Sequence, residues 1–193
     1  MSAVGREPAH EPVHEPAHEP AHEPLGEPMP ATPHDADGTP HDADATFRIR
    51  TADASDLDAI MTIERASFAA SAWERDTMRA EVGSEWGRYI VAEAADGSAL
   101  GYAGLRAVGV EGDVQTIAVA AEARGRGVGR ALLAELLAEA ERRGVRELFL
   151  EVRADNPVAR ALYESVGFAE IGVRPRYYQP EDVDAVVMKR VTA

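Results

Sequence analysis

Cysteine is absent from the 193 residues, which removes disulfides, thiolate metal sites and a cysteinyl acyl-enzyme from consideration. Histidine is confined: the six residues stand at positions 10, 14, 18, 22, 34 and 41, so beyond position 41 a general base has to be another residue type. No apolar run approaches the ~18 to 20 residues needed to cross a bilayer, and the first residues lack the basic and apolar regions of a signal peptide. A cytoplasmic protein without a membrane partner is the expectation. Positive charge is in short supply too. The formal charge is −14, and an acidic balance argues against a nucleic-acid partner.

That charge is unevenly spread. Residues 1 to 45 hold ten acidic side chains against Arg6, a net −9 that leaves −5 for the remainder. From Glu7 to Pro24 the motif His-Glu-Pro-Ala/Val recurs every four residues, Thr-Pro-His-Asp-Ala-Asp then occurs twice, and nine of the twelve prolines fall in this stretch. Proline at such spacing prevents a helix, and low hydrophobicity leaves nothing to bury. The expected organisation is a disordered His/Glu/Pro/Asp-rich tail over residues 1–45 and one domain over residues 46–193, long enough to bury a real core. Imidazoles beside carboxylates hold zinc or nickel weakly at best when the array is flexible, so the tail reads as solvated linker and no metal is expected.

The stretch from Val114 to Gly144 organises the rest. Its first residues form a β-branched, apolar strand, and Arg124-Gly125-Arg126-Gly127-Val128-Gly129-Arg130 then opens a helix. Glycines allow close backbone approach, and the free N–H groups and positive dipole end of a helix suit a phosphate. Neither a P-loop, which ends in Gly-Lys-Ser/Thr, nor a dinucleotide fingerprint, which needs a third glycine where Arg130 stands, fits the spacing. A tight turn alone would also use these glycines.

In chain order, Thr46 to Thr51 alternates as a half-buried strand, and a helix capped by Asp53 or Ser55 carries an apolar stripe from Leu57 to Phe68. A second helix is expected to begin around Trp73 and to end near Gly83. Tyr89 to Ala94 and Ala99 to Val108 are antiparallel strands joined at Asp96-Gly97, and Glu111-Gly112-Asp113 reads as the next turn. After the long helix, stopped by Gly144, comes a strand from Val145 to Val152. Strand, helix and strand in that order imply a parallel neighbour. Asn156-Pro157 starts a helix that Gly167 ends. Phe168 to Val173 and Asp184 to Val191 complete the pattern as a hairpin around a loop from Arg174 to Asp182. The fold class is α+β, with a mixed, mostly antiparallel sheet of about seven strands flanked by helices.

Arg124, Gly127 and Gly129 match the Arg/Gln-x-x-Gly-x-Gly/Ala signature of the Gcn5-related N-acetyltransferases (GNAT), and the resemblance covers residues 46 to 192. Within that family, Leu150-Glu151-Val152-Arg153-Ala154-Asp155-Asn156, Ala161-Leu162-Tyr163-Glu164-Ser165-Val166-Gly167-Phe168 and Arg176-Tyr177-Tyr178 resemble the RimI-type enzymes, which acetylate the N-terminal alanine of a small-subunit ribosomal protein. The resemblance implies acetyl-coenzyme A (acetyl-CoA) as co-substrate, with its pyrophosphate on residues 124 to 130, Arg124, Gly125, Arg126, Gly127, Val128, Gly129 and Arg130. It implies that backbone groups of Ile117, Ala118 and Val119 hold the pantetheine arm, and that a protein N-terminus is the acceptor.

By the same resemblance Glu151 is the base and Tyr163 the acid that protonates the departing thiolate. Each has a bland alternative: a solvated glutamate at a strand edge, and a tyrosine packed beside Leu162. Asn156 matches a coenzyme contact, and N-capping explains it equally well. Trp73 and Tyr178 either line the acceptor pocket or pack in the core and loop. RimI-type chains often place proline before that tryptophan, where Ala72 stands here. Two other functions remain open: acetylation of a small-molecule amine or a lysine, and a non-catalytic acyl-CoA-binding sensor.

Overall fold

The computed structural model describes residues 47 to 192, so the expected tail lies outside the described residues. Phe47–Thr51 forms β1, Gly87–Ala94 β2, Ala99–Val108 β3, Glu111–Val119 β4, Glu147–Arg153 β5, Ala169–Tyr178 β6 and Val183–Val191 β7. They make one sheet of order β1-β2-β3-β4-β5-β7-β6 in which every pairing is antiparallel except that of β4 with β5. The helices are α1 (Leu57–Phe68), α2 (Arg75–Val82), α3 (Val128–Arg142) and α4 (Pro157–Glu164). The α+β sheet of seven strands is the one the sequence implied.

The two faces of the sheet carry two cores. On one, Val128, Leu132, Leu133 and Leu136 of α3 pack against Ile90, Leu105, Leu148 and Val186. On the other, Ile60 and Met61 of α1 and Met78 of α2 pack against Tyr89, Val91 and Tyr102. Ile90 and Val91 are neighbours that serve opposite cores, as the alternation of a strand requires. Each leucine of α3 buried to completion contributes about 1.5 to 3 kcal/mol. α3 ends as expected: Gly144 adopts φ +74°, and the Val145 N–H reaches back to the Ala140 carbonyl at 2.9 Å.

The entry to α1 is tighter than the sequence suggested. Asp53 caps a single 3₁₀ turn rather than α1 itself, with its carboxylate accepting from the Ser55 N–H at 2.7 Å while Asp56 accepts from the Asp53 N–H at 2.9 Å. Two strand boundaries also differ. Glu111 to Asp113, expected as a turn, belongs to β4, and the reversal lies at Gly109, with φ +62°. Residues Arg174 to Tyr178, expected in a loop, continue β6 through a register shift against β7. In both places pairing with a neighbouring strand overrides a local composition that favours a turn.

Gly104 of β3 is required by packing. A Cβ there would lie 2.5 Å from Cζ of Tyr89, whose ring is buried against it. Gly104→Ala should therefore cost about 1 to 3 kcal/mol. Urea denaturation measures it, and an unchanged midpoint would mean that the ring has room to move.

Arg50 of β1 binds both oxygens of Asp56, at 2.6 and 2.7 Å. Those hydrogen bonds hold the Asp56 carboxyl below its ordinary range against the opposing effect of its burial. A depressed folded-state pKa contributes stability above the unfolded value of ~3.9, and that contribution is lost as pH falls through the folded value. The stability difference between the protein and Asp56→Asn should accordingly be present at neutral pH and shrink below about pH 4. A difference that stays constant from pH 7 to pH 3 would contradict the assignment.

Candidate functional site

β4 and β5 pair over only three positions, Glu111 with Glu147, Gly112 with Leu148 and Asp113 with Phe149, and then part. A bulge marks the place. Against β3, Gly104 faces Thr116 and Leu105 faces Val114, so Gln115 is one residue more than the ladder holds. β5 meanwhile stays paired with β7 along its whole length. Between the diverging strands lies a small cavity of about 60 Å³, walled by Val114 to Ile117 on β4, Leu150 to Arg153 on β5, Phe68, Asn156, Ala159, Tyr163 and Tyr178.

Glu151 is carried into this cleft by the alternation of β5, which sends Leu150 and Val152 to the α3 core. Its side chain is 32% exposed and lies 3.2 Å from an Arg174 guanidinium nitrogen. Desolvation raises its pKa, Arg174 pulls the other way, and the charge of Asp113 adds to the rise. The result is a carboxylate more basic than one in water. Across the cleft stands Tyr163 of α4, half-buried and edge-on to Phe168 with ring centroids 6.0 Å apart. Burial pushes its hydroxyl up to about 12. It is thus a proton donor throughout the physiological range.

Asn156 both caps α4, its side-chain oxygen accepting the Ala159 N–H at 3.0 Å, and lines the cleft. Tyr178, 1% exposed, closes the far side under Arg153, whose guanidinium carbon sits 5.3 Å from the ring centroid. Arg153 is itself held by Asp155 at 2.9 and 3.0 Å. Trp73 lies elsewhere, buried in the α1–α2 core rather than in the cleft wall.

The glycine loop lies beyond the end of β4. Gly125 and Gly127 adopt φ +71° and +79°, and a Cβ at either would meet nothing within 4 Å. Gly127 is the N-cap of α3, and since it has no side chain, the first N–H groups of that helix are left without a side-chain cap. No acidic residue occupies the first turn of α3. Arg124 Nε donates to the Val119 carbonyl at 3.2 Å and so ties the loop to β4, while Arg130 reaches Ser165 Oγ at 3.2 Å and Arg126 is exposed. Val128 is buried, and a Cβ at Gly129 would lie in ordinary contact with Val119, 3.6 Å from its Cγ2. Ile117 faces the cleft, whereas the side chains of Ala118 and Val119 are buried. Such a loop suits a pyrophosphate, and the unpaired edge of β4 suits an extended arm that carries amide groups.

Three cleft residues, Phe68, Gln115 and Thr116, carry no advance signal of their place there, and neither does Arg174, the ion-pair partner of Glu151. Phe68 reads as core in an apolar stripe, and Arg174 reads as loop because the extension of β6 is not encoded locally.

The model for the acetyltransferase (GNAT) family matches residues 57–168. The N-alpha-acetyltransferase RimI of Mycobacterium tuberculosis is 43% identical over 122 residues, spanning 61% of this chain and 75% of that one. An uncharacterised Mycobacterium leprae protein is 42% identical over 147 residues, 74% of this chain, although the match spans only 40% of that longer protein. The crystal structure of a ribosomal-protein alanine N-acetyltransferase from Escherichia coli superposes with a TM-score of 0.69 at 35% identity, covering 75% of this chain and 93% of that one. With the splayed strands, the glycine loop at the head of α3 and these relatives in agreement, the chain belongs to the acetyltransferase (GNAT) family.

Proposed function

We propose that this chain transfers the acetyl group of acetyl-CoA to the N-terminal α-amine of a protein, in the manner of RimI, with the N-terminal alanine of a small-subunit ribosomal protein as acceptor. One observation carries the reading: a carboxylate raised by desolvation and a protonated phenol line one cleft, and a glycine-rich helix start stands at its end. Residues 124 to 130 hold the pyrophosphate, and the β4 backbone at Ile117, Ala118 and Val119 holds the pantetheine arm and polarises the thioester carbonyl. Trp73 anchors the α1–α2 connection from the core, and Tyr178 backs the acceptor side of the cleft from beneath Arg153. Names of relatives support the acceptor.

The mechanism follows from proton positions. Glu151 takes a proton from the ammonium group, directly or through water, which suffices for an α-amine of pKa ~8. Arg174, 3.2 Å away, opposes the rise that desolvation gives the Glu151 carboxyl. The freed amine attacks the acetyl carbonyl in a ternary complex, since no cysteine is available to carry the group. Tyr163 Oη–H then gives its proton to the departing sulfur, and the second proton that the attacking nitrogen sheds on becoming an amide restores the phenol through solvent.

Gly127→Glu places a negative side chain where the pyrophosphate charge belongs. Calorimetry should show acetyl-CoA affinity reduced at least ~10-fold beyond any loss in Gly127→Ala, a control that shares the strain a side chain meets at φ +79° although the space around it is open. Undiminished affinity would move the coenzyme elsewhere.

Glu151→Gln should retain acetyl-CoA binding and lower kcat by ~10² to 10⁴. The wild-type rate should rise with pH as Glu151 ionises through its raised pKa, and that limb should vanish in the variant, which high pH partly rescues by supplying neutral amine. Tyr163→Phe should slow transfer with less rescue, since its proton is needed after attack. The assay compares an alanine-initiated peptide with the same peptide blocked at its α-amine and containing lysine. Preference for the blocked peptide would replace the acceptor, and coenzyme binding without turnover on any amine would make the domain a sensor.

A further inference from the structure

Glu64, in the middle of α1, is a carboxylate with no solvent exposure that the reaction above does not use. A buried carboxylate is costly unless hydrogen bonds meet its oxygens. Here both are met. Oε1 accepts the Trp73 backbone N–H at 2.9 Å, and Oε2 accepts the Tyr102 hydroxyl. Tyr102, on β3 and equally inaccessible, has its hydroxyl oxygen 3.3 Å from Thr116 Oγ1. Thr116 lines the cleft. So does Phe68, one helical turn beyond Glu64 on the same face of α1.

The chain after Phe68 needs such an anchor. Ala69 adopts φ +43° with ψ −112°, a sparsely populated conformation that costs a non-glycine residue about 1 to 3 kcal/mol and persists only where its surroundings impose it. The bond from the Trp73 N–H to Glu64, nine residues back, closes that turn from below. An apolar side chain of the same size would fill the space and join neither partner. A carboxylate has one oxygen for the α1–α2 connection and one for the sheet.

We propose that Glu64 is a positioning residue for the acceptor amine: it ties the α1–α2 connection to β4 through Tyr102 and Thr116, and thereby sets Phe68 and Thr116 against one another across the cleft. The tie acts on the acceptor side and leaves the glycine loop untouched. It deepens the acetyl-transfer reading above, on which only its kinetic arm rests.

The test uses the full chain. Tyr102→Phe keeps the ring and the bond from Trp73 to Glu64 but severs the link to β4. Hydrogen exchange at residues 69–74 and 114–116 should accelerate about tenfold, with the interior of α3 unchanged. The KM for the alanine-initiated peptide should rise about tenfold, since small displacements of reacting groups are costly, while acetyl-CoA affinity stays within about twofold. Glu64→Gln, which keeps an oxygen for the Trp73 N–H and an amide for the Tyr102 oxygen, should behave nearly as the wild type. If Tyr102→Phe does not fold, Thr116→Val cuts the same chain at its cleft end and should raise the peptide KM alone. Exchange unchanged in both segments, exchange accelerated equally in α3, or a parallel loss of acetyl-CoA affinity would overturn the proposal. A wild-type protein inert toward the peptide would instead defeat the acceptor reading, and the exchange measurement would still decide the role of Glu64.

Discussion

The site depends on two strands that cannot stay together. β4 is committed to β3 and carries an extra residue at Gln115, while β5 is committed to β7 from Glu147 to Arg153. After three shared positions their parallel pairing ends. Backbone groups that lose a ladder partner must find another, and an extended ligand with amides of its own can satisfy them. Both groups assigned to proton transfer sit on or against the diverging halves: Glu151 two residues beyond the last paired position of β5, and Tyr163 on the helix that β5 feeds. The same divergence that opens the cleft therefore decides which side chains are half-desolvated within it.

What was legible in the sequence was what is locally encoded. The glycine loop, the N-cap at Asn156, the Gly144 stop and the Asp96-Gly97 hairpin each follow from a few adjacent residues, and each stands where expected. The misplaced boundaries share one cause. Glu111 to Asp113 looks like a turn until β5 arrives to pair with it, and Arg174 to Tyr178 looks like a loop until β7 extends it. Arg174 as the counter-ion of Glu151 was hidden by that second error, because the pairing of two strands brings it there. Glu151 as the proposed base was legible only through its flanking motif; alternation alone puts Glu147, Phe149 and Glu151 on one face without saying which is enclosed.

Glu64 and Glu151 show how access, rather than pKa, separates a buried carboxylate from a partly desolvated one. Desolvation raises both. In Glu64 the rise is opposed by two hydrogen bonds that occupy both oxygens and leave no approach for a ligand, so the group serves as a joint. In Glu151 it is opposed by one guanidinium at 3.2 Å, and about a third of the side chain remains open to the cleft. A general base has to exchange protons with what enters, so it cannot be saturated. A structural carboxylate has to be saturated, because an unmet oxygen in the core is costly. The fold thus uses one residue type twice, inside a domain without a histidine beyond position 41, by giving one copy all of its partners and leaving the other short.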